Sequence, residues 1–427
     1  MNLLLENAKI IDPSQDLNKK GNVAIEEGKI KGFPKKISDS KYKHYKRIDC
    51  TGKIVSPGLI DLHVHLREPG YEYKETIKTG TEAAAAGGFT TIVCMPNTNP
   101  INDNASVTEF ILYKARTEGL VNVLPIGAIT IGEEGQDLAH IGEMYEAGCV
   151  GISDDGMSVM DSGIMRSAMD YVKAFNIPVL IHAEDKGLSC DGVMNEGFTS
   201  TVLGLNGIPN SSEEVMIARD INLCELTGTH LHICHVSTRG SVRLIREAKS
   251  RGVNVTAEAT PHHFHLTDEI VMEYNTFAKV SPPIRTSADV QAIRQGLADG
   301  TIDVIATDHA PHSEDEKKVE FDKAPFGISG LETALQLSLQ LVEQDVISLD
   351  YMISKLTNIP AKVIGLDKGT LKEGADADLV VFNTEDKSII DRHKFYSKGK
   401  NTPFHDWKVK GKVNYTIVNG RIVYKNL

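Results

Sequence analysis

In the run Asp61-Leu62-His63-Val64-His65-Leu66-Arg67, two imidazoles and a guanidinium fall on alternate positions of an apolar, β-prone segment. Residues two apart share one side of a strand, so His63, His65 and Arg67 are expected to face a common cavity as the strand runs out. Two imidazoles on one face can grip a metal ion, and the guanidinium beside them can take an anion through charge-assisted hydrogen bonds. The pattern recurs downstream: Asp154-Asp155, His182, His235 and Asp308 each close a short run rich in β-branched residues. Four histidines with aspartates are enough ligands for two ions that share a carboxylate. Imidazole and carboxylate without thiolate suit zinc, with manganese or cobalt as alternatives. Two ions about 3.5–4 Å apart can hold a hydroxide at neutral pH and polarise a carbonyl. The chemistry implied is metal-assisted hydrolysis with water as the nucleophile.

Residues so far apart must be brought together by the elements that carry them. From about residue 57 the sequence alternates β-branched runs with alanine-rich or charge-patterned helical stretches, which predicts a parallel sheet of βα units. The candidate strands are 59–64, 90–95, 121–127, 149–153, 178–182, 230–235, 253–257 and 302–307. Between them lie predicted helices such as "ETIKTGTEAAAAGG" and "RGSVRLIREAKSRG", several closing on glycine as helix ends do. Eight strand–helix units make a TIM (β/α)8 barrel, whose chemistry sits at the C-terminal ends of the strands. Each metal-capable residue named above falls at that end. Residues 1–56 and 362–427 instead carry short alternating strands, the last with the Asn-Gly turn of "VNYTIVNGRIVY". The fold expected is α/β, a barrel over 57–361 with a small β-sandwich domain built from both termini.

Composition narrows the partners. The 427 residues carry 46 Lys+Arg against 58 Asp+Glu, a formal charge of −12, which argues against nucleic acid. An anionic small substrate would need a local positive group, which Arg67 and a bound metal supply. The six cysteines stand singly with no CxxC pair, as in reduced cytosolic proteins. No segment approaches the ~18 apolar residues of a membrane span and no signal peptide is evident, so a soluble cytoplasmic protein is expected.

The motifs "PGLIDLHVHLREPG", "GGFTTIVCMPNTNP", "SDDG", "LIHAED", "HICHVST", "EATPHHF", "SPPIR", "ATDHAPH" and "APFGISGLET" together resemble the amidohydrolase superfamily, and within it the class I bacterial dihydroorotases. The resemblance covers essentially the whole chain. It implies that His63, His65 and Asp308 bind one zinc, that His182 and His235 bind a second, and that Asp155 bridges them. Asp154 competes for the bridging role; Asp155 is preferred because the family places the ligand directly before a glycine, here Gly156. An aspartate where many relatives use a carbamylated lysine counts against allantoinases and dihydropyrimidinases. The implied reaction is reversible cyclisation of N-carbamoyl-L-aspartate to (S)-dihydroorotate in pyrimidine synthesis, with Asp308 as the proton shuttle. Arg67, Asn97 and His312 are implied to hold the substrate carboxylate. Ser281 departs from the family, which commonly has asparagine there to contact the ring. A water or backbone groups near Phe326 and Gly327 would then take over that contact. The family also implies a homo-oligomer, a dimer, and a complex with aspartate carbamoyltransferase. Rival readings are a hydantoinase or allantoinase, against which Arg67 and Asn97 speak, and a non-catalytic scaffold subunit, against which the full ligand set speaks. Two conspicuous runs take bland readings. "TPHHFH" is expected to pack on strand seven and support the ligands, and "SEDEKKVEFDK" (313–323) to be a solvated loop able to act as a lid.

Overall fold

The fully buried run Leu59–Val64 opens a parallel barrel in this computed structural model, which describes residues 2–37 and 40–426. It pairs with Phe89–Cys94, which pairs in turn with Asn122–Pro125. On the other side Val179–Ile181, Leu231–Ile233, Val255–Ala259 and Val304–Ile305 form a second parallel set. Bridges of Ile152 to Gly127 and to Val179 join the two sets, and a bridge of Val64 to His309 closes the ring. The strand expected over 149–153 is thus reduced to a bridge at Ile152. The ladder still holds there, with Ser153 N donating to Gly127 O (2.9 Å) and Leu180 N to Ile152 O (2.8 Å).

The helices follow their local signals. Ile77–Gly87 begins at a Thr76–Thr79 capping box and stops at Gly88, whose φ of 91° suits a residue without a Cβ. Asn104, Asp161 and Thr238 cap the helices 105–118, 162–172 and 239–250 with their side chains. The helix Asn358–Val363 crosses the division expected at 361/362: Val363 and Ile364 pack with Ile60, Leu62 and Val304 of the barrel. Among the described residues, no helix is long and apolar enough to cross a membrane.

Both termini share one eight-stranded sheet. Ile54–Pro57 lies between Leu3–Asp12 and Leu379–Ile389, with Val55 opposite Val381. Leu5, Ile10, Val23, Val55, Leu379, Val381 and Ile417 form a separate apolar core beneath it. At ~1.5–3 kcal/mol per buried large side chain, that core is what ties the chain ends together.

Two segments at the mouth of the barrel differ from expectation. The run 313–323 is not a freely solvated loop. Ser313 caps a short helix Glu314–Lys317, and Lys317 is buried with Nζ donating to Thr276 O (3.1 Å), Lys279 O (3.2 Å) and Pro325 O (2.7 Å). Three N–H groups meet three carbonyls, so the charge run is moored at its centre by one of its own lysines. The second segment returns from the C-terminal side: Asn401 Nδ2 donates to Ala310 O (2.9 Å) and Gly327 O (3.0 Å), while its Oδ1 accepts from His312 N (2.9 Å) and Ser329 Oγ (2.9 Å). "TPHHFH" follows the seventh strand, which stops at Ala259: Thr260 is the N-cap and Pro261 starts the short helix Pro261–His265.

Burial pushes the Lys317 pKa down to about 7 from an ordinary value of 10.5. Between those values the unfolded chain binds the extra proton, so this group makes stability rise with pH across that window. Denaturant unfolding of wild type and Lys317→Met at pH 7 and 9.5 should show wild-type stability gaining on the variant as pH rises; a constant difference would show that Lys317 keeps its proton when buried and would contradict the lowered pKa.

Candidate active site

The strand ends gather six ligand-type side chains, with the Asp155 carboxylate at the centre of four imidazoles. Asp155 Oδ1 lies 3.4 Å from His63 Nε2, 3.8 Å from His182 Nδ1 and 3.8 Å from His235 Nε2, and its Oδ2 lies 3.5 Å from His65 Nε2. Asp308 Oδ1 approaches His65 Nε2 (3.1 Å) and His63 Nε2 (3.6 Å), and His182 Nδ1 meets His235 Nε2 at 3.0 Å. All six residues are buried. Donor atoms spaced like this match tetrahedral coordination, where bonds of ~2.0–2.1 Å put ligands roughly 3.3 Å apart.

Several rings are oriented by groups behind them. His63 Nδ1 meets Glu258 Oε1 (2.9 Å) and His65 Nδ1 meets Asn97 Oδ1 (2.9 Å), so both turn Nε2 inward. His182 is reversed, its Nε2 held by Glu184 Oε2 (3.1 Å) and its Nδ1 inward. Asp154 is excluded from the cluster. Its carboxylate accepts from Ile129 N (2.7 Å), Thr130 N (3.1 Å) and Thr130 Oγ1. Three ligand-bearing turns are strained, with positive φ at Arg67 (62°), His235 (33°) and Asp308 (46°). Such backbones cost on the order of 1–3 kcal/mol each and collect at functional sites.

The residues fit a cation. His63 Nε2 and Asp155 Oδ1 are buried with no hydrogen-bond partner, although they face each other, whereas buried polar atoms are normally paired. Burial alone would raise the Asp155 and Asp308 carboxyls, but the surrounding imidazoles hold both below the usual carboxylate range. Burial likewise opposes charge on His63, yet the Asp155 carboxylate leaves its pKa well above the ordinary value. The negative charge that favours a proton on His63 Nε2 would equally favour a metal ion, which competes for the same lone pair. Cys234 and Glu258 lie close beside His63, and burial pushes the Cys234 thiol pKa up.

A cavity of about 470 Å³ opens above the cluster, lined by His65, Arg67, Asn97, Asp155, His182, His235, Ser281, Asp308, His312, Phe326 and Gly327. His63 is the one expected site residue beneath it. Strand periodicity does not carry Arg67 there, because the strand ends at Val64 and the left-handed turn at Arg67 aims the side chain. Its Nε donates to Pro311 O (3.3 Å) and its Nη2 lies 3.4 Å from His312 Nε2; among the described residues no carboxylate pairs with it. His312 Nε2 meets Phe326 O (2.8 Å) and its Nδ1 faces Lys74 Nζ (3.4 Å), so the ring is committed to shaping the wall. At Gly327 a Cβ would lie 2.6 Å from Ala310 O, and its φ is 144°, so this position needs glycine. Ser281 is half-buried at the rim.

Glu258, Glu184, Lys317 and Asn401 were not among the candidates from the sequence. Glu258 had a signal, being the one acid inside an otherwise uncharged strand. Asn401 had none, since its partners lie more than seventy residues away.

Comparison with known proteins agrees with this geometry. Residues 52–241 match the family model described as dihydro-orotase-like, and residues 325–424 match the amidohydrolase family. The chain is 52% identical over 425 residues to a dihydroorotase of Geobacter metallireducens, covering 100% of both chains. It is 53% identical over 427 residues to one of Pelotomaculum thermopropionicum, covering 100% of this chain and 99% of that one. Among solved structures, L-hydantoinase (dihydropyrimidinase) from Arthrobacter aurescens superposes with a TM-score of 0.87 at 26% identity, over 99% of this chain and 96% of the other. Dihydropyrimidinase from Brevibacillus agri shares the fold, with a TM-score of 0.87 at 23% identity over 100% and 95%. Catalytic-type residues at the strand ends, and identity above half along the full length, lead to one conclusion: this chain belongs to the dihydroorotase family of amidohydrolases.

Proposed function

We propose that this protein interconverts (S)-dihydroorotate and N-carbamoyl-L-aspartate, using two zinc ions. The observation that carries the reading is Asp155 standing within 3.4–3.8 Å of four imidazoles. In this reading His63, His65 and Asp308 hold one ion, His182 and His235 hold the other, and Asp155 is shared. Ions bound there would polarise an amide carbonyl and supply a nucleophilic water at neutral pH. Arg67, which pairs with no carboxylate among the described residues, takes the substrate carboxylate in a charge-assisted pair at the cavity wall. Asn97 spends Oδ1 on His65 and one amide N–H on Asp155 Oδ2 (3.5 Å), which leaves its other N–H for substrate. Ser281 and the backbone at Phe326 and Gly327 border the ring, and His312 braces that wall.

In the hydrolytic direction water adds to the ring amide carbon, and the Asp308 carboxylate takes the proton it releases. The carbon–nitrogen bond then breaks, and Asp308 returns that proton to the departing nitrogen. Cyclisation retraces the same path. The neutral rings of hydantoins have no carboxylate for Arg67, which is why the reading favours dihydroorotate.

Asp308→Asn should lower kcat for dihydroorotate hydrolysis by about 10²–10⁴-fold while leaving the circular dichroism spectrum unchanged; near-normal turnover would remove Asp308 from this role. Arg67→Met should weaken kcat/KM for dihydroorotate by roughly 10–100-fold, the worth of a charged hydrogen bond, with hydantoin turnover, if any, unmoved. Chelation should abolish dihydroorotate hydrolysis, and zinc should restore it with two equivalents bound. One equivalent at full activity would replace the two-ion reading by a one-ion site.

A further inference from the structure

Behind His63 runs a chain of hydrogen bonds that leads away from the cavity and down the barrel. His63 Nδ1 meets Glu258 Oε1 (2.9 Å), and Glu258 Oε2 meets His232 Nε2 (3.1 Å). His232 Nδ1 meets Thr256 Oγ1 (2.8 Å), which also meets His230 Nε2 (2.8 Å). Glu258 and His232 are fully buried, and no residue beyond His63 touches the cavity.

With one proton on each imidazole, the chain has one self-consistent arrangement. A carboxylate only accepts, so His63 donates from Nδ1 and His232 donates from Nε2. A neutral His232 then offers a lone pair at Nδ1, which must receive the single hydroxyl proton of Thr256. That oxygen in turn accepts from His230 Nε2. We propose that Glu258 is a positioning residue that, together with His232 and Thr256, locks His63 in the tautomer whose Nε2 lone pair faces Asp155. The inference rests on the reading of His63 as a metal ligand and extends it to residues remote from the metal.

The arrangement predicts an energetic coupling between two residues, one of which never approaches the site. A glutamine at 258 can still accept from His63 through its amide oxygen, but its NH2 then points at His232. His232 must reverse, carry its proton on Nδ1 and donate to Thr256, which in turn donates to His230. Glu258→Gln alone is therefore accommodated by reversing the whole chain. With Thr256→Val in the same molecule the reversed His232 has no acceptor; turning the amide relieves this but sets its NH2 against both His63 Nδ1 and the His235 N–H that Glu258 Oε1 accepts (3.3 Å), forcing a proton onto the metal-facing Nε2 of His63. Both substitutions preserve shape, so the fold is retained.

The test is zinc affinity measured by chelator competition on the full-length protein, for wild type, Thr256→Val, Glu258→Gln and the double variant. Thr256→Val should weaken zinc binding by no more than about 3-fold and Glu258→Gln by about 10-fold, within the range usual for groups behind a ligand. The double variant should fall about 10-fold further than the product of the single effects, because the two residues act on one proton arrangement. Multiplicative effects in the double variant, with wild type binding zinc normally, would overturn the inference alone. A wild type that binds no zinc would overturn the ligand reading and the inference with it.

Discussion

A single carboxylate among four imidazoles is the constraint on which this structure turns. Asp155 is reached by rings from the first, fifth and sixth strands, all buried. Polar rings gathered this closely in a dry interior cost several kcal/mol unless an opposite charge meets them. The aspartate supplies part of that charge, and the orphaned lone pairs facing it leave room for a cation to supply the rest. The adjacent Asp154 shows how narrowly the role is assigned. One residue earlier in the chain, the same side chain is absorbed by the backbone of Ile129 and Thr130 and serves as a brace.

Three of the four rings have a second group behind them, and for His63 and His65 that group comes from an element with no ligand of its own. Asn97 follows the second strand and Glu258 lies on the seventh. The closed barrel is what makes this economical, since neighbouring strand ends lie within one side chain's reach of each other. Strain at Arg67, His235 and Asp308 is tolerated because the rigid strands below leave those turns no alternative.

Much of this was legible in the sequence, for definite reasons. Candidate ligands at the ends of apolar runs need only the period of a strand and the polarity of a barrel, so His63, His65, His182, His235 and Asp308 could be named from local pattern, whereas the choice of Asp155 over Asp154 needed the family resemblance. Arg67 was found by an argument that holds only as far as Val64; a left-handed turn, not strand alternation, delivers it. The moored charge run was misread because Lys317 is typical of solvated surface in composition, and only three carbonyls from separate segments reveal its burial. Asn401 was invisible because its partners belong to other loops of the fold, and no local spacing encodes them.

The sheet that joins the two ends of the chain also sets an order of events. Ile54–Pro57 pairs with Leu379–Ile389, more than three hundred residues later in the chain, and the rim that holds His312 and Gly327 waits for Asn401. A growing chain that has not yet reached Asn401 can therefore form much of the barrel wall but not that rim. Contacts so distant in sequence are slow to form, so the mouth of the cavity closes after the wall beneath it. A substrate would then meet a complete pocket only once that late segment has docked.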